Sequence, residues 1–192
     1  MEQMTSFKWL VPFFLFCSSS WAASVTSNAT TCVNETSTGT VAWTSPSNGA
    51  VQDSSFATAT TGAGVVSNFL TCSGFSFSIP ANLPIVGIEL IQNIDNPSSA
   101  QCEDATLIMV VNNSTSTNKA GEKDWTATNR TIGSASDTWG LSLTSNGLMN
   151  VLVKQATKKA GGVGSAEADI DSMSLRIYYQ APRQGFDDSD FF

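Results

Sequence analysis

Gly74-Phe-Ser-Phe-Ser-Ile-Pro-Ala-Asn-Leu-Pro-Ile-Val-Gly-Ile-Glu-Leu90 is the stretch that decides the fold class. Phe75, Phe77 and Ile79 alternate with Ser76 and Ser78, the period of two that a strand with one buried face requires. Pro80 brings no amide donor to a ladder and ends that strand. Asn82 and Pro84 supply turn residues, and Val86, Ile88 and Leu90 resume the alternation. Two strands joined at a proline-rich turn predict antiparallel β structure.

Outward from this stretch the same signals recur at short intervals. Strands are predicted at 41–43, 56–60, 67–71, 74–79, 85–92, 106–111, 139–143, 150–155 and 172–179, separated by Gly, Asn, Ser and Pro clusters such as 45–49, 61–64, 96–99 and 161–164. In the last strand Asp171, Met173, Leu175, Ile177 and Tyr179 share one face, and Ser172, Ser174 and Arg176 the other. No window has a helical period over a full helix length; residues 145–149 offer one turn. Strands without helices predict an all-β domain, an antiparallel two-sheet β-sandwich of jelly-roll-like build.

The ends of the chain read differently. Trp9-Leu-Val-Pro-Phe-Phe-Leu-Phe-Cys17 is a short apolar run followed by small residues up to Ala23, which makes residues 1–23 a secretory signal peptide cut after Ala22 or Ala23. The run is too short to span a bilayer, and no other segment is long and apolar enough to do so. Residues 24–40 are polar and read as a flexible N-terminal arm or an accessory strand, 41–180 as the sandwich, and 181–192 as an acidic tail. Export places the protein outside the cell or on its surface.

The net charge of the 192 residues is −7, and removal of the leader takes one acid and one base and leaves it there. An acidic chain with scattered Lys and Arg is a poor partner for nucleic acid, and Lys154, Lys158 and Lys159 form the only basic cluster, read as a solvated loop edge. Three cysteines follow the leader. A Cys72–Cys102 disulfide is favoured because each precedes a strand, leaving Cys32 as a free thiol or an intermolecular link; unpaired small core residues are the alternative. Asn28, Asn34, Asn112, Asn113 and Asn129 stand in glycosylation sequons. Ser and Thr make up 48 of the residues, a richness that produces sequons by chance, so these are candidates and no more.

Five landmarks and a closing strand, taken together, resemble a known kind of protein: Trp43-Thr-Ser-Pro-Ser-Asn48, Asp53-Ser-Ser-Phe-Ala57, Phe69-Leu70 leading into Phe75-Ser-Phe-Ser-Ile-Pro80, Ile85-Val-Gly-Ile88, Asp137-Thr-Trp-Gly140, and Ala168-Asp-Ile-Asp-Ser-Met-Ser-Leu-Arg-Ile-Tyr-Tyr179. Their order is similar to that in small β-sandwich modules of tailed-phage structural proteins and secreted bacterial proteins. The resemblance covers most of 41–179 and implies a jelly-roll-like structural or surface element without a catalytic motif. The leader, the cysteines and the sequons depart from that pattern and favour a secreted product over one inside a virion.

Catalytic constellations are hard to assemble here. With no histidine, a nucleophilic triad lacks its base and the His-bearing zinc sites lack a ligand. Glu103 and Asp104, and Asp169 and Asp171, are the acids nearest to strand ends; solvation or turn amides are their ordinary use, and none has the spacing of a calcium loop. No cofactor is implied. Among the tryptophans, Trp43 and Trp139 flank strands and read as core, while Trp125 lies in a polar loop and reads as the exposed one, a candidate sugar contact. Two functions follow. One is a secreted, non-enzymatic structural or surface-assembly protein, self-associating or joined to another surface protein; the other is a carbohydrate-binding module or adhesin with a glycan ligand.

Overall fold

Ile88 and Leu90 on one strand and Leu175 and Ile177 on another point the same way at every second residue, and the two strands pair directly, Leu90 opposite Leu175 and Ile88 opposite Ile177. The apolar stripe so formed is one half of the core. In the computed structural model, which describes residues 22–95, 101–121, 125 and 128–181, ten strands carry the described chain. They are β1 Ala22–Asn28, β2 Thr31–Glu35, β3 Ala57–Gly62, β4 Phe69–Ser73, β5 Ile85–Asp95, β6 Cys102–Val111, β7 Ser114–Thr115, β8 Asn129–Ser134, β9 Val151–Lys159 and β10 Ser165–Gln180. Helical structure among the described residues is limited to the 3-10 turns Pro46–Gly49 and Ser145–Gly147. Among the described residues no helix is long and apolar enough to cross a membrane.

The strands form two sheets, and every ladder is antiparallel. In the first, the 16-residue β10 is central: β1 pairs with its C-terminal half and β3 with its N-terminal half along one edge, β5 pairs along the other, and β8 lies beyond β5. The second runs β2-β4-β9-β6-β7. Consecutive strands cross from sheet to sheet at almost every step, the jelly-roll-like connectivity of a β-sandwich. Leu70, Leu107, Met109 and Val153 of the second sheet meet Leu90, Ile132, Met173 and Leu175 of the first, all fully buried. Each such side chain contributes about 1.5–3 kcal/mol on leaving water.

The opening stretch behaves differently from its reading. Residues 74–80 keep the alternation, with Phe75 buried and Phe77 and Ile79 against the core, but they form no ladder. They carry the chain from one sheet to the other, and the Ser76 amide donates to the Ser27 hydroxyl rather than to a neighbouring backbone. Periodicity reports which side chains are buried; a strand also needs a partner strand alongside. Residues 41–43 likewise make a single isolated bridge, Val41 with Ser67. Residues 139–143 form no strand because Trp139 adopts φ 56°, its amide held by the Asp137 carboxylate at 2.8 Å. The expected arm at 24–40 carries β2 and most of β1. The leader up to residue 21, the 96–99 turn and the tail from 182 onward lie outside the described residues.

The disulfide joins Cys32 to Cys72, and not Cys72 to Cys102. Cys32 of β2 and Cys72 of β4 are register partners, which places their sulfurs face to face, while Cys102 starts β6 on the far side of β9 from β4, where it is buried and free. The bond closes a loop of 40 residues, for which chain entropy gives about 4 kcal/mol. Cys32→Ser/Cys72→Ser should therefore lower unfolding free energy by about that much in chemical denaturation, whereas Cys102→Ser should leave the bond intact on non-reducing peptide mapping.

Candidate functional site

Four polar residues sit in phase with the buried apolar positions of their strands. Gln92 follows Ile88 and Leu90 on β5; Gln155 follows Val151 and Val153 on β9; Arg130 precedes Ile132 on β8; Asp104 faces inward on β6. A register irregularity between Asp104 and Thr106 inserts Ala105 as an extra residue, so that Asp104 and Leu107, three positions apart, both point inward. The alternation therefore delivers four polar side chains to the centre of the sandwich, two from each sheet.

There they close a ring. Arg130 Nε donates to Gln92 Oε1 at 2.7 Å, Gln92 Nε2 to Gln155 Oε1 at 2.6 Å, and Gln155 Nε2 to Asp104 Oδ1 at 2.6 Å. The Arg130 guanidinium completes the circuit with both carboxylate oxygens, Nη1 to Oδ2 at 2.8 Å and Nη2 to Oδ1 at 3.0 Å. Trp125 caps it, its indole N–H on Asp104 Oδ1 at 3.2 Å and its ring 4.5 Å from the guanidinium carbon. Asp104 and Arg130 are essentially sealed from solvent, their side chains 1 % and 2 % exposed. The expectation of an exposed Trp125 is thus overturned: this tryptophan is buried, because the carboxylate and guanidinium give its N–H and its ring a place inside.

A sealed ring of this kind binds the sheets together and offers nothing to a substrate. Beside it the Cys102 thiol is pushed from 9.0 to about 12, chiefly by burial and next by the Asp104 carboxylate, so it remains an unreactive thiol. Of the other expected acids, Asp171 and Glu103 are occupied with structure, while Asp169 has a buried Oδ1 without a hydrogen-bond partner among the described residues. Asp171 Oδ1 accepts the amides of Asp53 and Ser54 at 2.9 and 3.0 Å and fastens that loop to β10, while Glu103 pairs with Lys158 at 3.1 Å. Burial raises the pKa of Asp169, opposed by a Thr58 hydrogen bond and reinforced by Glu167 and Asp95. Among the described residues no three His, Cys, Asp or Glu side chains gather where they could hold a metal ion.

The three lysines lie on β9 rather than on a loop edge, and each has a partner: Lys154 with Glu35 at 2.8 Å, Lys158 with Glu103, and Lys159 with the Gln101 side-chain oxygen at 2.8 Å. Of the sequon asparagines, Asn28, Asn112, Asn113 and Asn129 are exposed and Asn34 is half-buried. Asn112 Nδ2 is taken by the Gly147 carbonyl at 2.7 Å, and Asn34 Oδ1 accepts from the Trp43 amide. A shallow groove of about 500 Å³ is lined by Val110, Asn112, Asn113, Asn150 and Leu152, with no ionisable group in it. Trp43 and Trp139 are buried, as expected, with their indole N–H groups on the carbonyls of Asn68 and Ile88. No protein-family model matches the chain, and no significant match exists among curated proteins.

Asp104→Asn leaves the Arg130 charge buried without its counter-ion and is expected to cost about 3–5 kcal/mol of stability in chemical denaturation. A second expectation concerns Glu35, whose carboxyl is held down from 4.5 to about 2 by Lys154 first, then by the Ser37 hydroxyl. A lowered folded-state pKa stabilises above pH 4.5 and loses that contribution as pH falls toward 2. The stability difference between wild type and Glu35→Gln should be full above pH 4.5 and vanish near pH 2, measured by urea titration at each pH.

Proposed function

We propose that this chain is a secreted, non-enzymatic structural protein, a subunit of an assembly at or outside the cell surface. The observation that carries the reading is the flank built by the N-terminal segment. β1 is an edge strand of the first sheet and β2 an edge strand of the second, and only Ala29 and Thr30 separate them. One continuous piece of chain thus presents the borders of both sheets. The side chains outward on β1, Ser24, Thr26 and Asn28, carry no charge, and Val33 on β2 is 48 % exposed. Lys and Pro are usual guards of sheet edges, and neither occurs on β1 or β2, whose one charge is Glu35, paired with Lys154. The opposite border of the first sheet, β8, does carry an inward charge in Arg130.

The Cys32–Cys72 disulfide and the leader read in residues 1–23 support an oxidising, exported setting. The resemblance to phage and secreted sandwich modules agrees with a structural role. The carbohydrate-binding alternative loses the residue that motivated it, since Trp125 is enclosed by Asp104 and Arg130.

Light scattering and negative-stain electron microscopy of the secreted protein test the reading. Particles that grow with concentration are expected, and Val33→Lys should shift their onset to higher concentration. A monodisperse monomer at every concentration overturns it.

A further inference from the structure

Building on that reading, we propose that β1 is exchanged between copies, the part of it that the secreted chain keeps, residues 24–28, filling the slot beside residues 174–178 of the next copy. The partner is therefore a second copy of this chain, and the contact is the one already seen within a single copy. Exchange of an identical element is a low-cost route to assembly because no new interface has to be built.

The slot has defined ends. β3 occupies the N-terminal half of the same edge of β10, from Ser165 to Ile170, and an isolated bridge between Ala50 and Ser172 closes the gap. What remains is the edge from Ser174 onward, along which the secreted chain pairs from Asn28 opposite Ser174 to Ser24 opposite Tyr178. Side chains mark this register. Ser174 Oγ donates to Asn28 Oδ1 at 2.8 Å, and Arg176 Nε reaches Thr26 Oγ1 at 3.4 Å.

The strand is also lightly held. β10 is its only ladder partner among the described residues. Its inward positions in the secreted chain are Val25 and Ser27, both only half-buried, so little of its own apolar surface returns to water when it leaves. β3 and β5 stay paired with β10 when β1 leaves.

The hinge completes the device. Two residues, Ala29 and Thr30, turn the chain from one sheet to the other, their amides held at 2.9 Å by the Met173 and Ser73 carbonyls, so the pivot of an exchange lies at Asn28. Immediately beyond, Cys32 is tied to Cys72 of the neighbouring strand. The bond confines the exchange to β1: this strand can swing out while β2 stays fixed. Within one copy the short tether gives β1 a high effective concentration at its own slot, so exchange depends on crowding of chains.

The test uses the full secreted chain in two single variants, Thr26→Cys and Arg176→Cys, at directly opposed positions of the ladder. Mixed in equal amounts under mild oxidation at concentrations where particles form, they are expected to give a heterodimer linked through positions 26 and 176, in excess of either homodimer. The double variant, oxidised when dilute, should cross-link within one chain, which shows that the pair can bond. An intramolecular link in the double variant with no heterodimer from the mixture overturns the exchange. Light scattering of the wild type is scored separately. Particles without the heterodimer overturn strand exchange and leave the assembly reading standing, and absence of both overturns both.

Discussion

The closed hydrogen-bond ring between the sheets is the constraint on which the rest of the sandwich depends. Removing an ion pair from water costs several kcal/mol per ion, and the interior returns this only when every remaining donor and acceptor is matched. Here Asp104 Oδ1 accepts from Arg130, Gln155 and Trp125, its other oxygen from Arg130, and the two glutamines carry the circuit back. The match exists at one relative placement of the sheets. A slide of either sheet by one residue would leave a buried charge facing apolar side chains, so the ring selects a single packing where Leu, Ile and Met alone would tolerate several. Net stability still comes mostly from the apolar layer around it.

Much of the fold was legible because burial imposes a period of two. The strands around 56–60, 67–71, 85–92, 106–111, 150–155 and 172–179 were found, displaced by a few residues, from apolar side chains at alternate positions. β8 escaped because Arg130 occupies one of its inward positions and Gly133 interrupts it; a Cβ there would collide with the Ile88 carbonyl and the Trp139 indole. β1 and β2 were legible only as an arm or one accessory strand, because Ala, Ser, Cys and Asn hold most of their inward positions, too small or too polar to register as a core face. The reverse error at 74–79 has the same root, since those side chains are buried without a ladder beside them.

The site was partly legible in the same terms. Gln92, Gln155 and Arg130 each fall on a beat where an apolar residue is due, a pattern visible in the sequence although it was read only for Asp104, and there only as an acid near a strand end. Pairing between distant strands was not legible. Cys32 and Cys72 meet because β2 and β4 are neighbours, and Trp125 is drawn inside by Arg130, five residues on, together with Asp104, 21 residues back on another strand.

Ala105 has a consequence of a different kind. On the C-terminal side of it β6 presents Leu107, Met109 and Val111 to the core, and on the other side Cys102 and Asp104, two sets that ordinary alternation would send to opposite faces. The strand is written in two frames, and Ala105 is the shift between them. Loss of this one small residue would keep all the chemistry of β6 and put half of it on the wrong side, turning out either the ion pair or the oily half of the core. Length, at this position, is as much a part of the message as identity.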